Sequence, residues 1–285
     1  MKDHPSSPAR QARCCRTAFT LLELLVVVAI IAVLAALLLP VLARVKQRAQ
    51  ASWCLNHSKQ LLAALHLYAA DASDWLPPNA EDGNPVSWVP GNLWNPFDAT
   101  NTLFLTDPRW AKLGPYTGAA AAIYKCPADP STVNLNGAIY PRVRSVSMSQ
   151  AVGTKSDPPL APVDGVWLDG TRHHTAGHPW RTYGRFTDMT QPGPSQLWVF
   201  AEEDRYSIND AAFAVCMTMP TAWVDWPATY HNGSGGIGFA DGHSEIHHWT
   251  DPRTRLTATP PLGLTIQSPD NPDILWLQQR NSTMR

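Results

Sequence analysis

The sequence has no Gly-x-Ser-x-Gly elbow, no P-loop and no His-Glu-x-x-His pair. It therefore lacks the local signatures of an exposed serine nucleophile, of triphosphate binding and of zinc-dependent proteolysis. It also has no internal repeat and no low-complexity linker. A strong charge of either sign is missing: 22 basic and 23 acidic side chains leave a formal charge of −1. That balance offers no basic footprint for nucleic acid. Gly and Pro are absent from residues 43–70, so nothing in that stretch forces a helix to break.

What the sequence does have is a long apolar run, Phe19 to Leu39, in which only Thr20 and Glu23 are not apolar. About 20 residues at a 1.5 Å rise cross the roughly 30 Å hydrocarbon core of a bilayer. An acid at mid-helix costs roughly 2.5–3.5 kcal/mol on insertion scales, so Glu23 near the start of the run needs a reason. Lys2, Arg10, Arg13 and Arg16 precede the run, and Arg44, Lys46 and Arg48 follow it. Two readings stand on this pattern. One is a secretory signal cleaved after Val41-Leu42-Ala43, although signal cores are usually about 7–15 residues long. The other is a membrane anchor, whose orientation the flanking charges leave open.

Beyond the run the helix is expected to continue over residues 43–76. Cys54, Ser58, Leu61, Leu65 and Tyr68 recur at helical spacing, opposite Lys59, Gln60 and His66. Trp75-Leu76-Pro77-Pro78 ends it, because proline biases its predecessor out of helical geometry. From there to Arg285 the composition turns to Pro, Gly, Asn, Asp and Trp. Short β-rich stretches, Ile139–Ser149, Gln196–Ala201, Ala211–Met217 and Gly236–Ala240, alternate with turn residues. They predict a mainly antiparallel β head with long loops over residues 77–285, and an α+β fold for the chain.

The residues Arg16-Thr17-Ala18-Phe19-Thr20-Leu21-Leu22-Glu23 resemble the class III signal of type IV pilins and type II secretion pseudopilins. The resemblance implies that residues 1–18 are a cytoplasmic leader, cut between Ala18 and Phe19 by a prepilin peptidase that methylates the new amine. The family usually has Gly where this chain has Ala18. Residues 19–42 then form the transmembrane segment, with the head outside the cytoplasmic membrane and lipid and other pilin-like subunits as partners. Glu23 is expected to meet the amine of a neighbouring subunit's Phe19 and so set assembly register. Pro40 removes one helical hydrogen bond and lets the helix bend there. The leader carries +3, so its loss leaves a mildly acidic −4.

A second resemblance lies in Tyr230–Trp249, where His231 is followed after nine residues by Asp241-Gly242. This frame is similar to the prepilin-type processing-associated His-X(9)-Asp-Gly group. Cys54-Leu55-Asn56 with Lys59-Gln60, Cys126-Pro127-Ala128-Asp129, Arg144–Met148 and Glu202-Glu203 agree with the same group. Locally, Asn232-Gly233 and Asp241-Gly242 predict tight turns of a meander, with Ile237, Phe239, Ile246 and Trp249 toward the core.

Cys14 and Cys15 fall in the leader. Cys54, Cys126 and Cys216 would lie outside, where disulfides form. A Cys54–Cys126 bridge is expected to tie helix to head; closing a loop of about 70 residues is worth roughly 4 kcal/mol in the chain-entropy model. The alternative is two buried thiols, and Cys216 reads as a core thiol.

Several polar groups invite chemistry. His231, Asp241 and His243 are a two-His-one-carboxylate set, or else residues that hold turn backbone. Pseudopilin heads often bind calcium through loop oxygens, and Glu202, Glu203, Asp204, Asn209 and Asp210 are the densest oxygen cluster, or else a solvated loop. His173, His174 and His178 read as a solvated loop, and Glu202 with Asp241 as a dispersed carboxylate pair. Trp88, Trp94, Trp110, Trp223 and Trp226 serve a binding face or the core. Two functions follow: a non-catalytic pilin-like subunit of a type II secretion or type IV pilus-like filament, or a membrane-displayed module that binds carbohydrate or another substrate, or hydrolyses it.

Overall fold

The computed structural model describes residues 21–79, 87–155, 160–171, 179–261 and 264–285. The architecture is α+β, a long N-terminal apolar helix followed by a mainly antiparallel β-rich region. The chain divides into two compact units after Lys46.

In the first unit the described residues all belong to helix α1 (Leu21–Asp71), which carries Glu23 in its first turn and Pro40 in its interior. No residue of its most apolar 18-residue window is buried, and the helix is long and apolar enough to cross a membrane. Exposed leucine, isoleucine and valine on every side mark a helix built for apolar surroundings rather than water.

In the second unit the same helix buries one face only. Cys54, Leu61, Leu62, Leu65 and Ala69 are buried while Lys59, Gln60 and His66 stay exposed, as the 3.6-residue period requires. α1 ends at Asp71, five residues short of the expected boundary, because Ser73 and Asp74 turn left-handed. The Asp74 N–H donates to Ala69 O at 2.8 Å and closes the helix end.

Two short helical turns follow, α2 (Pro96–Ala99) and α3 (Leu103–Thr106). Strands β1 (Thr132–Leu135) and β2 (Ala138–Pro141) form an exposed hairpin around Asn136-Gly137, both with positive φ. The central sheet has the order β5-β3-β4-β7-β8, from β3 (Val146–Ser149), β4 (Trp198–Glu202), β5 (Ala212–Phe213), β7 (Ser234–Phe239) and β8 (Ser244–His248). Among the described residues of this sheet, the β3–β5 pairing is parallel and the other strand pairings are antiparallel. β6 (Ala222–Trp223) pairs with β9 (Ile266–Gln267), and α4 (Pro272–Gln279) follows.

The stretch expected as strand over Ile139–Ser149 is split between β2 and β3. Between them the buried Arg144 guanidinium donates to Val146 O at 2.8 Å and Asp210 O at 2.7 Å. There the backbone bonds outside the sheet, Val143 N–H to Ala99 O at 2.9 Å and Ser145 N–H to Tyr124 O at 3.0 Å, and so leaves the ladder. The meander expected around Asp241-Gly242 is the β7–β8 hairpin, with Gly242 at φ +93°. Ile237, Phe239 and Trp249 are buried and Ile246 is half-buried.

The core is aromatic-rich. Trp88, Trp198, Tyr124, Phe200 and Phe213 are among its largest fully buried side chains. Trp223 and Trp226 stack at 5.6 Å between ring centroids and are buried as well. Three of the five loop tryptophans are thus core residues; Trp94 is half-buried and Trp110 exposed.

Candidate functional site

Four side chains from four distant segments converge within the second unit. Cys54 comes from α1, and Cys126 from the turn after the short helix Ala121–Tyr124. Glu202 is the last residue of β4, and His231 stands just before the Asn232-Gly233 turn that leads into β7. One ligand-type atom of each lies within 4.8 Å of the others, and all four residues are buried.

Local structure aims each of them inward. The helical period places Cys54 on the face of Leu61 and Leu65. The Cys126 N–H donates to Ser145 Oγ at 2.8 Å, and its sulfur accepts the Ala128 N–H at 3.3 Å. Glu202 Oε2 accepts the Gly236 N–H at 2.9 Å, which fixes the carboxylate against β7. His231 Nε2 lies 3.3 Å from both Glu202 Oε2 and Cys126 Sγ. The Cys54 thiol donates to Glu202 Oε1. A void of about 10 Å³ borders Cys54, Cys126, Glu202 and Gly236, so the site is closed to anything larger than a water or an ion.

Hydrogen bonding with Cys126, burial and the Glu202 charge together push the Cys54 thiol far above its ordinary range. Burial alone would lower His231, but its bonds to Cys126 and Glu202 outweigh this and raise it to about 10. Burial pushes Glu202 up, and His231 and the two thiols bring it below its ordinary value.

The expected disulfide is corrected here. Cys54 and Cys126 meet as free thiols that hydrogen-bond with each other and also engage Glu202 and His231. The five-oxygen calcium cluster does not assemble, because its members turn to separate partners from the end of β4 onward. Glu202 turns to the thiols. Glu203 turns to Ser147 Oγ at 2.5 Å and Ser207 Oγ at 2.8 Å. Asp204 accepts the Tyr206 N–H, Asp210 accepts the Ala212 N–H, and Asn209 donates to Asp210.

The histidine–aspartate set divides likewise. Asp241 and His243 pair with each other on the surface at 2.5 Å, whereas His231 is buried with the cysteines. Glu202 and Asp241 thus occupy different surroundings, one buried and one exposed. Asp241 borders a groove of about 440 Å³ with Asp74, His66 and Phe186; Asp74 accepts from Thr187 N–H and Oγ1. The run Gly233-Ser234-Gly235-Gly236-Ile237-Gly238 has the spacing of a dinucleotide loop, but it lies along β7 and leads into a hairpin, not a helix. Cys216 is a buried thiol beside Thr218, at 3.0 Å. Ala18 and Phe19, like His173, His174 and His178, lie outside the described residues.

The residues of the four-membered cluster all stood in motifs of the sequence, but in separate ones. The available signal was that four residue types able to bind a soft or borderline metal each sat in a motif similar to one group.

Taken as a class, this is an α+β protein whose apolar N-terminal helix fits a membrane-anchored protein. Residues 13–39 match the family model described as the prokaryotic N-terminal methylation motif, the prepilin-processing signature of type IV pilins and pseudopilins. The motif supports a pilin-like or pseudopilin precursor and suggests a structural subunit; it implies processing by a prepilin peptidase and assembly with other pilin subunits. No curated protein and no solved structure gives a significant match to the chain.

Proposed function

We propose that this chain is a non-catalytic pilin-like subunit. In this reading it is inserted in the cytoplasmic membrane with its N-terminus inside, cut and methylated at Phe19, and assembled through α1 into a type II secretion or type IV pilus-like filament. One observation carries the reading: the methylation motif over residues 13–39 runs into a helix whose apolar window has no buried residue. Such a surface needs lipid before assembly and neighbouring helices after it. Glu23 stands in the first turn, at the start of the apolar stretch, and a neighbouring subunit's amine would offer a counter-charge to this acid in the assembled filament.

Co-expression with a prepilin peptidase tests the reading. Mass analysis of the N-terminal peptide is expected to show methylated Phe19, and Glu23→Val is expected to stay membrane-inserted while sheared filaments lose it. An unprocessed chain, or normal incorporation of Glu23→Val, would refute it.

A further inference from the structure

We infer that Cys54, Cys126, Glu202 and His231 form a structural site for one zinc-like divalent ion, which fastens α1 to the β-rich region. The four donors, two sulfurs, one carboxylate oxygen and one imidazole nitrogen, suit a borderline-soft ion, whereas calcium and magnesium take oxygens. A tetrahedral ion with ligands at about 2.0–2.3 Å spaces them roughly 3.3–3.8 Å apart. The four atoms already lie within 4.8 Å of one another, with two of the separations at 3.3 Å, so small side-chain adjustments suffice.

The surroundings fit a closed site. All four residues are buried and the adjoining void is about 10 Å³, which leaves no open position for substrate. Two thiolates and a carboxylate around a divalent ion leave one negative charge, and the N–H groups of Gly236 and Ala128 point at Glu202 and Cys126 to ease it. Gly236 keeps the site clear: a Cβ there would stand 3.2 Å from Glu202 Cδ and 3.4 Å from Cys54 Sγ. Binding expels the protons of both thiols and the Nε2 proton of His231 to solvent. A disulfide would link two of these segments, whereas an ion links four, and it also shields both sulfurs from oxidation outside the cell.

The test uses the full chain, purified in detergent without reductant or chelator from zinc-supplemented medium. Elemental analysis is expected to find one zinc per chain. After denaturation with chelator, Cys54 and Cys126 are both expected to react with an alkylating agent without prior reduction. Cys126→Ser and His231→Ala are each expected to lose the zinc. Should either variant fail to fold, the wild type decides: chelation lowers its unfolding temperature, added Zn²⁺ restores it, and Co²⁺ gives the visible spectrum of a tetrahedral thiolate site. A Cys54–Cys126 disulfide in metal-free protein would overturn the inference. So would a reduced, metal-free chain whose unfolding temperature Zn²⁺ leaves unchanged.

Discussion

Gly238 of β7 lies against Ser58 of α1 so closely that a Cβ on Gly238 would stand 2.6 Å from Ser58 Oγ and 3.0 Å from Leu62 Cδ1. The bare strand is what lets the helix settle onto the sheet. Gly238→Val is therefore expected to cost about 1–3 kcal/mol by overpacking, with Gly238→Ala milder because Ser58 can rotate. The Ser58 hydroxyl is buried without a hydrogen-bond partner among the described residues, so Ser58→Ala alone should be close to neutral. In the double variant Ser58→Ala should recover part of the Gly238→Val loss. Denaturant midpoints of the four chains measure this, and strict additivity would refute the contact.

Arg144 makes the second prediction. It is fully buried beside Glu203 and Asp210, and its guanidinium serves two carbonyls and Ser147 Oγ. Burial lowers it from the usual arginine value to about 10, against the pull of the two acids. Removing one member of a buried charged group leaves the others uncompensated, so Arg144→Ala is expected to lose about 3–5 kcal/mol. Arg144→Lys should recover only a fraction, since a point-like ammonium cannot span Val146 O and Asp210 O as the planar fork does. Equal stability of the lysine variant and wild type would contradict the geometry.

These two contacts also show what the sequence could and could not disclose. The apolar run and the spacing Cys54, Ser58, Leu61, Leu65 announce α1, because helical periodicity is a local property. The β7–β8 hairpin is legible for the same reason, from Asp241-Gly242 between β-rich stretches. The meeting of Cys54 and Cys126 with Glu202 and His231 is not local. Glu202 reads along the chain as one of five neighbouring oxygen donors, yet at the end of β4 it turns to Gly236 and the thiols while Glu203 turns to Ser147. His231 reads as the partner of Asp241, yet the hairpin carries Asp241 to the surface while His231 stays inside. Arg144 sits in a stretch that looks like continuous strand, and the break there comes with non-local bonds, of Val143 to Ala99, Ser145 to Tyr124 and Arg144 to Asp210.

Asp273 joins α4 to the end of the sheet. Its carboxylate accepts the Thr250 N–H at 3.0 Å, the Asp251 N–H at 3.0 Å and the hydroxyls of Thr250 and Thr254 at 3.0 and 2.5 Å. The residue is 2% exposed. Asp273→Ala would orphan several donors at once and is expected to cost roughly 3 kcal/mol. Hydrogen exchange should then quicken at Thr250 and Asp251 before the rest of the sheet. Uniform quickening across the sheet would show that Asp273 is no local clamp.

His247 on β8 supplies a pH dependence whose sign can be worked out. Its ring stacks on Trp276 at 3.8 Å between centroids and meets Trp249 edge-on at 4.6 Å. Burial lowers it below the ordinary histidine value, and Arg280 acts in the same direction. The charges of Glu245, 3.5 Å away, and Asp273 only partly offset this. The folded chain then binds fewer protons at this site than the unfolded chain. Its contribution to stability is complete above the unfolded value of about 6.5 and is lost as the pH falls from there through the folded value. Burial raises Glu203 and Asp204, which respond in the opposite sense, so the effect is read by difference. His247→Phe keeps an aromatic ring on Trp276 but cannot take up a proton. Between pH 7.5 and 5 the wild type's denaturant midpoint should fall relative to that of His247→Phe, and parallel profiles would remove His247 as the cause.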